Sequence, residues 1–155
     1  IENMTDIEEK QLSLIKKNPY NIWKLLYYEK NGGDKVSENV KLAAVELNGL
    51  TIEFIEKPSF EIQRKAIVQN PWSIIYIEKP DDIIALIAII FDPSLLKRRQ
   101  KRYIEEKLPF DYFMTLSLKI QKKLIEHNPL FSAIIPNLHP SLVDSIKRLS
   151  DIGII

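Results

Sequence analysis

The sequence predicts an all-α fold: a small helical-repeat array (α-solenoid-like) of about five two-helix units, right-handed and closed by irregular caps. Three observations predict it. The tetrapeptide Ile55-Glu56-Lys57-Pro58 recurs as Ile77-Glu78-Lys79-Pro80, 22 residues along. Around it, Ala44-Val45-Glu46-Leu47-Asn48-Gly49 is echoed by Ala66-Ile67-Val68-Gln69-Asn70-Pro71 at the same spacing. Self-similarity at a fixed short period is the mark of stacked repeats. Apolar residues also keep helical steps on both sides of a recurring Asn-Pro turn.

Five anchors set the register: Asn18-Pro19, Asn48-Gly49, Asn70-Pro71, Asp92-Pro93 and Asn128-Pro129. Eight residues before them stand Lys10, Val40, Ile62, Ile84 and Ile120. Four before come Leu14, Ala44, Ala66, Ala88 and Leu124; three before, Ile15, Val45, Ile67, Ile89 and Ile125. Four after come Ile22, Ile52, Ile74 and Leu96, with Ser132 the exception. Seven after come Leu25, Ile55, Ile77 and Ile135, with Arg99 the exception. These three- and four-residue steps mark one face of an α-helix on each side of the anchor.

Asn or Asp before Pro is suited to a helix start. The side chain caps orphan N–H groups, and Pro at the first position loses nothing by lacking a donor. Eleven residues before four of the anchors stand Ser37, Ser59, Asp81 and Ser117, a second column of cap residues. Pro58 and Pro80 stop the preceding helix from running on. One unit is therefore a capped helix of about ten residues, an Asn-Pro turn and a second helix of about eight. Helices this short are marginal alone and must draw stability from packing, which is a reason to stack them.

Two intervals depart from the period. From Asn18 to Asn48 the extra residues fall in Tyr28-Glu29-Lys30-Asn31-Gly32-Gly33-Asp34-Lys35, read as a loop. From Asp92 to Asn128 the second helix is expected to run through Leu95-Leu96 to about Leu108, before Pro109 and the aromatic stretch Phe110 to Met114. Pro140-Ser141 to Leu149 reads as one more first helix.

The pattern Ala-Val/Ile-x-x-Asn-Pro/Gly-x-x-Ile-x-x-Ile-x-x-Pro, clearest from Val40 to Pro93, resembles short helical repeats of uncharacterised bacterial and phage proteins. These include a domain of unknown function built on tandem "AVxxNG" units and, more distantly, leucine-rich-variant repeats with "NP" turns. The motif specifies caps, turns and core columns. The resemblance therefore implies an α-helical array, transfers no catalytic residue, and suggests a phage or bacterial accessory or inhibitor protein.

Length and composition fit one helical-repeat domain over residues 1–155, with hydrophobic residues at 45% and charged residues at 28%. No cysteine is present, so thiolate chemistry and disulfide staples are ruled out, which suits a reducing, cytoplasmic setting. The longest apolar run, Ile83 to Phe91, is about half a membrane span, so no membrane partner is expected.

An enzyme is not expected. Among four glycines no phosphate-binding loop or nucleophile elbow can be built. His127 and His139 sit at turns, off any metal-ligand spacing, and no metal or other cofactor is expected. Non-enzymatic protein binding is the leading expectation, because repeat arrays expose a continuous second face. Candidate partner-binding residues are the off-column aromatics Trp23, Trp72 and Tyr76, together with the cluster Lys97, Arg98, Arg99, Lys101, Arg102 and Tyr103. That cluster also carries the alternative, nucleic-acid binding by a basic helix over 97–102. Glu105 and Glu106 lie four residues after Lys101 and Arg102, and a net charge of +1 is short of the basic balance typical of such domains.

Overall fold

A computed structural model describes residues 4–96 and 116–151, the side chains of 145–150 excepted. The fold is all-α: among the described residues every regular element is a helix. The chain divides into two compact units, Ile1–Pro80 and Asp81–Ile155.

The first unit holds α1 (Met4–Lys17), α2 (Asn21–Lys30), α3 (Glu38–Leu47), the 3-10 helix η1 (Gly49–Phe54), α4 (Phe60–Gln69) and the 3-10 helix η2 (Pro71–Tyr76). Within it α3 packs against both α1 and α4, while η1 packs against α2, α4 and η2. The second unit holds α5 (Asp82–Phe91), η3 (Pro93–Leu96), α6 (Leu118–His127), η4 (Pro129–Ala133) and α7 (Pro140–Asp151). There α5 packs against η3 and α6, and α6 against η4.

Local chemistry explains why each helix starts where it does. Ser37, Ser59 and Ser117 Oγ accept from Val40, Ile62 and Ile120 N–H at 3.2–3.3 Å. At the anchors, Asn18, Asn48, Asn70, Asp92 and Asn128 Oδ1 accept the N–H two residues on, each at 3.0 Å. Such a cap stabilises a helix by about 1 kcal/mol. Asp81 differs: it stands at the N-cap of α5 without a side-chain capping bond. Its carboxylate still lies next to the positive end of the helix dipole.

The predicted columns form the core. Val40, Ile62, Ala44, Ala66, Val45, Ile67, Ile22, Ile52 and Ile74 are buried to 1% exposure or less, as are Ile84, Ala88, Ile89 and Leu124 of the second unit. Two column residues of α1 depart from this, since Lys10 and Leu14 are exposed.

Two expectations are corrected. The second elements η1, η2 and η4 are 3-10 helices of five or six residues, not α-helices of about eight. Their first turns close with i→i+3 bonds, such as Thr51 N–H to Asn48 O and Ser73 N–H to Asn70 O. A 3-10 helix rises about 2.0 Å per residue, so six residues span about 12 Å against about 15 Å for a ten-residue α-helix. The tighter winding thus nearly matches the length of the neighbour from fewer residues. Ile55 and Ile77 follow η1 and η2 in extended conformation, and both are buried like Ile52 and Ile74 three residues before them.

The loop placed at Tyr28–Lys35 begins at Asn31, because Tyr28, Glu29 and Lys30 belong to α2. Its end is a glycine-terminated motif: Gly33 N–H reaches Tyr28 O at 2.8 Å, Gly32 N–H reaches Glu29 O at 3.2 Å, and Gly32 has φ +90°. The repeated Ile-Glu-Lys-Pro solves the same problem without glycine. Lys57 and Lys79 take φ of 46° and 52°, and Asn137 occupies the equivalent position in the second unit at 51°.

Gly49 stands where the other anchors carry proline. A Cβ there would lie 2.3 Å from Ala66 O and 2.7 Å from Ser73 Oγ, so glycine lets η1 approach the end of α4 and the start of η2. Gln69 Oε1 fixes the same junction by accepting from Gly49 N–H at 2.6 Å.

Candidate interaction surface

α2 is tied to its neighbour at its start. Asn18 caps its start, and Asn21 Nδ2 donates to Leu14 O at 2.8 Å, tying it to the end of α1. Ile22 is fully buried and Leu25 and Leu26 are partly buried against the first-unit core. With that face inward, Trp23 and Tyr27, four residues apart, share the opposite face. Trp23 is 51% exposed and Tyr27 57%. Their rings stack at 6.1 Å with planes 20° apart, and Tyr28 meets Tyr27 edge-on at 5.9 Å. Tyr20 meets Phe54 of η1 edge-on at 6.2 Å.

Beside this ledge lies an open depression of about 500 Å³, lined by Trp23, Leu26, Tyr27 and Phe54 and by Glu29, Lys30, Lys41 and Glu56. Lys30 Nζ and Glu56 Oε1 meet at 3.3 Å across it, an exposed pair that adds little stability. Charges of both signs rim an aromatic floor. The arrangement can bury apolar side chains of a partner, with polar groups available at the edge.

The other sequence candidates lie elsewhere. Trp72 and Tyr76 are half-buried on η2, so those rings serve packing more than Trp23 does. Lys97, Arg98, Arg99, Lys101, Arg102 and Tyr103 fall outside the described residues, as do the expected helix to Leu108 and the aromatic stretch after it. Tyr27, Leu26 and the Lys30–Glu56 rim are the residues that residue-by-residue reading left out of the candidate set. The signal for Tyr27 was present, since a position four after Trp23 shares its helix face.

Electrostatics elsewhere is unremarkable for a site. On α4 the Arg64 guanidinium hydrogen-bonds Glu61 at 2.7 and 3.1 Å, which holds that carboxyl below its ordinary range. Both groups are solvated, so the pair is a surface feature. Among the described residues no cluster of three His, Asp or Glu side chains is placed to hold a metal ion. No described helix is long and apolar enough to cross a membrane. Comparison with protein-family models, with curated proteins and with solved structures finds no match to this chain.

Proposed function

We propose that this chain is a non-enzymatic protein-binding scaffold or adaptor, a helical-repeat array that docks a partner polypeptide on the aromatic ledge of α2. One observation carries the reading: Trp23 and Tyr27 stack on each other while each leaves half or more of its surface to solvent. Stacked rings present a large, preorganised apolar area at low cost in side-chain entropy, which is why Trp and Tyr dominate binding hot spots. The resemblance suggests an accessory or inhibitor protein of a bacterium or phage, acting in the cytoplasm.

The test is quantitative capture from a bacterial extract by the wild-type chain and by the Trp23→Ala/Tyr27→Ala double variant, with circular dichroism to check folding. A protein retained by the first and lost by the second, at equal helicity, supports the reading. Equal retention by both removes the ledge from it.

The second reading is nucleic-acid binding through Lys97, Arg98, Arg99, Lys101 and Arg102, which rests on that cationic run in the sequence. It predicts complexes in low-salt gel shifts that weaken steeply with salt. It also predicts their loss in the Arg98→Glu/Arg99→Glu/Arg102→Glu variant. Absence of any low-salt complex with duplex, single strand or RNA ends it.

A further inference from the structure

Three second elements of the first unit lie side by side, α2 against η1 and η1 against η2. Each turns one face to the core: Ile22, Ile52 and Ile74, four residues after their anchors, are buried to 1% exposure or less. Positions two and six after the anchors keep part of their surface in solvent. They hold Tyr20 and Lys24 on α2, Leu50 and Phe54 on η1, and Trp72 and Tyr76 on η2, so all but Lys24 are apolar or aromatic. Tyr20 meets Phe54 edge-on at 6.2 Å, which joins the first rib to the second. The Trp23–Tyr27 ledge is thus the most exposed end of an aromatic strip that crosses three ribs.

The spacing of the ribs selects the shape of an occupant. Packed helices lie about 8–10 Å apart, so a chain laid across them meets a new rib at that interval. Side chains on one face of a β-strand recur about every 6.7 Å and fall out of step by the third rib. An α-helix returns to one face about every 10.5 Å, near the interval, but its carbonyls are used internally. Polyproline II repeats every three residues at about 3.1 Å per residue, or about 9.3 Å, which keeps step and leaves its carbonyls free.

Hydrogen-bonding groups agree. The described residues give no partner to the Trp23 indole N–H or to the hydroxyls of Tyr20, Tyr27 and Tyr28. Once a partner covers the rings, those tips need acceptors. A proline-rich segment offers main-chain carbonyls and brings few N–H groups that need acceptors in turn. The flanking charges Glu29, Lys30, Lys41 and Glu56 are of both signs, which favours no strongly charged occupant. A polyproline II chain is also preordered, so it loses little entropy on docking.

We infer that the strip binds a proline-rich segment in the polyproline II conformation, laid across α2, η1 and η2 with an apolar side chain on each rib. The inference rests on the reading of α2 as a docking surface and names the chemistry of what docks there. Trp23 and Tyr27 supply the largest contact, the Tyr20–Phe54 pair carries the segment onto η1, and Trp72 and Tyr76 receive its far end.

The chain has two tryptophans, Trp23 and Trp72, one on each outer rib. Their indole N–H signals in the ¹⁵N-labelled full chain therefore report separately on the two ends of the strip. The probe is acetyl-(Pro-Leu-Pro)3-amide, whose leucines recur every three residues. It should shift both indole signals with one common affinity, saturating in the high-micromolar to millimolar range. The flexible acetyl-(Gly-Leu-Ser)3-amide keeps the leucine spacing and loses the preformed helix, and should bind about ten-fold more weakly. No shift of either indole, a shift of Trp23 alone, or equal affinity for the two peptides overturns the inference. The protein is unaltered throughout, so the folding of a variant does not enter. Capture of a partner that depends on Trp23 and Tyr27, together with a silent peptide titration, would sink this inference and leave the docking reading intact.

Discussion

α2 and η2 both follow an Asn-Pro anchor and both carry a tryptophan, yet they treat it differently. In η2, six residues of 3-10 helix close at Lys79 with φ 52°, and Trp72 is half-buried along the element. In α2, ten residues of α-helix close at Gly32 with φ +90°, and Trp23 is half-exposed and stacked on Tyr27. The regular period thus goes with packing. The large exposed aromatic surface lies where the period is broken, because a full α-helix turns a second face away from its neighbours.

The comparison can be broken most forcefully at the core. Ile52→Ala on η1 should cost about 2–5 kcal/mol in urea unfolding, since Ile52 is 1% exposed. Trp23→Ala should cost about 1 kcal/mol or less, because half of that ring is already in water. Similar losses for the two would place Trp23 in the core and remove the distinction.

Gly49→Ala comes next. A methyl group placed 2.3 Å from a backbone carbonyl forces η1 and α4 apart, with an expected loss of about 1–3 kcal/mol at the upper end of that range. Thermal unfolding reads it, and an unchanged midpoint would contradict the close approach.

Caps are smaller. Asn70→Ala removes the bond to Trp72 N–H and should cost about 1 kcal/mol. Asn70→Asp should retain most of the stability, since Asp92 makes the same bond in the second unit.

The smallest effects separate the two ways of ending the second element. Gly32→Ala should destabilise by about 1 kcal/mol because of its positive φ. Lys57→Gly should be neutral or stabilising by up to about 1 kcal/mol, relieving a left-handed lysine at the cost of chain entropy. Losses of equal size at both positions would contradict the left-handed assignment at Lys57.

The helical class and the core columns were readable because burial imposes a period, and Val40, Ile62, Ile52 and Ile74 sit where that period puts them. Ser37, Ser59 and the anchor asparagines were readable because capping selects few residue types. The 3-10 winding was not, since a three-residue step between Ile52 and Ile55 fits either helix. Lysine has no preference for positive φ, so Lys57 and Lys79 gave no sign beyond the repeat itself. Trp23 stood out by lying off the columns. Its partner Tyr27 was signalled by the four-residue step from Trp23, and α2 running as an α-helix through Lys30 puts the two rings on one face.

Site-specific photo-crosslinking tests the central claim most directly. A benzophenone amino acid placed at Tyr27, and separately at exposed Glu126 on α6, would be irradiated in bacterial extract and the adducts identified by mass spectrometry. The account predicts one reproducible polypeptide adduct from position 27, absent from position 126 and suppressed by excess unlabelled wild-type chain but not by the Trp23→Ala/Tyr27→Ala variant. No adduct from position 27, or the same adducts from both positions, would contradict it.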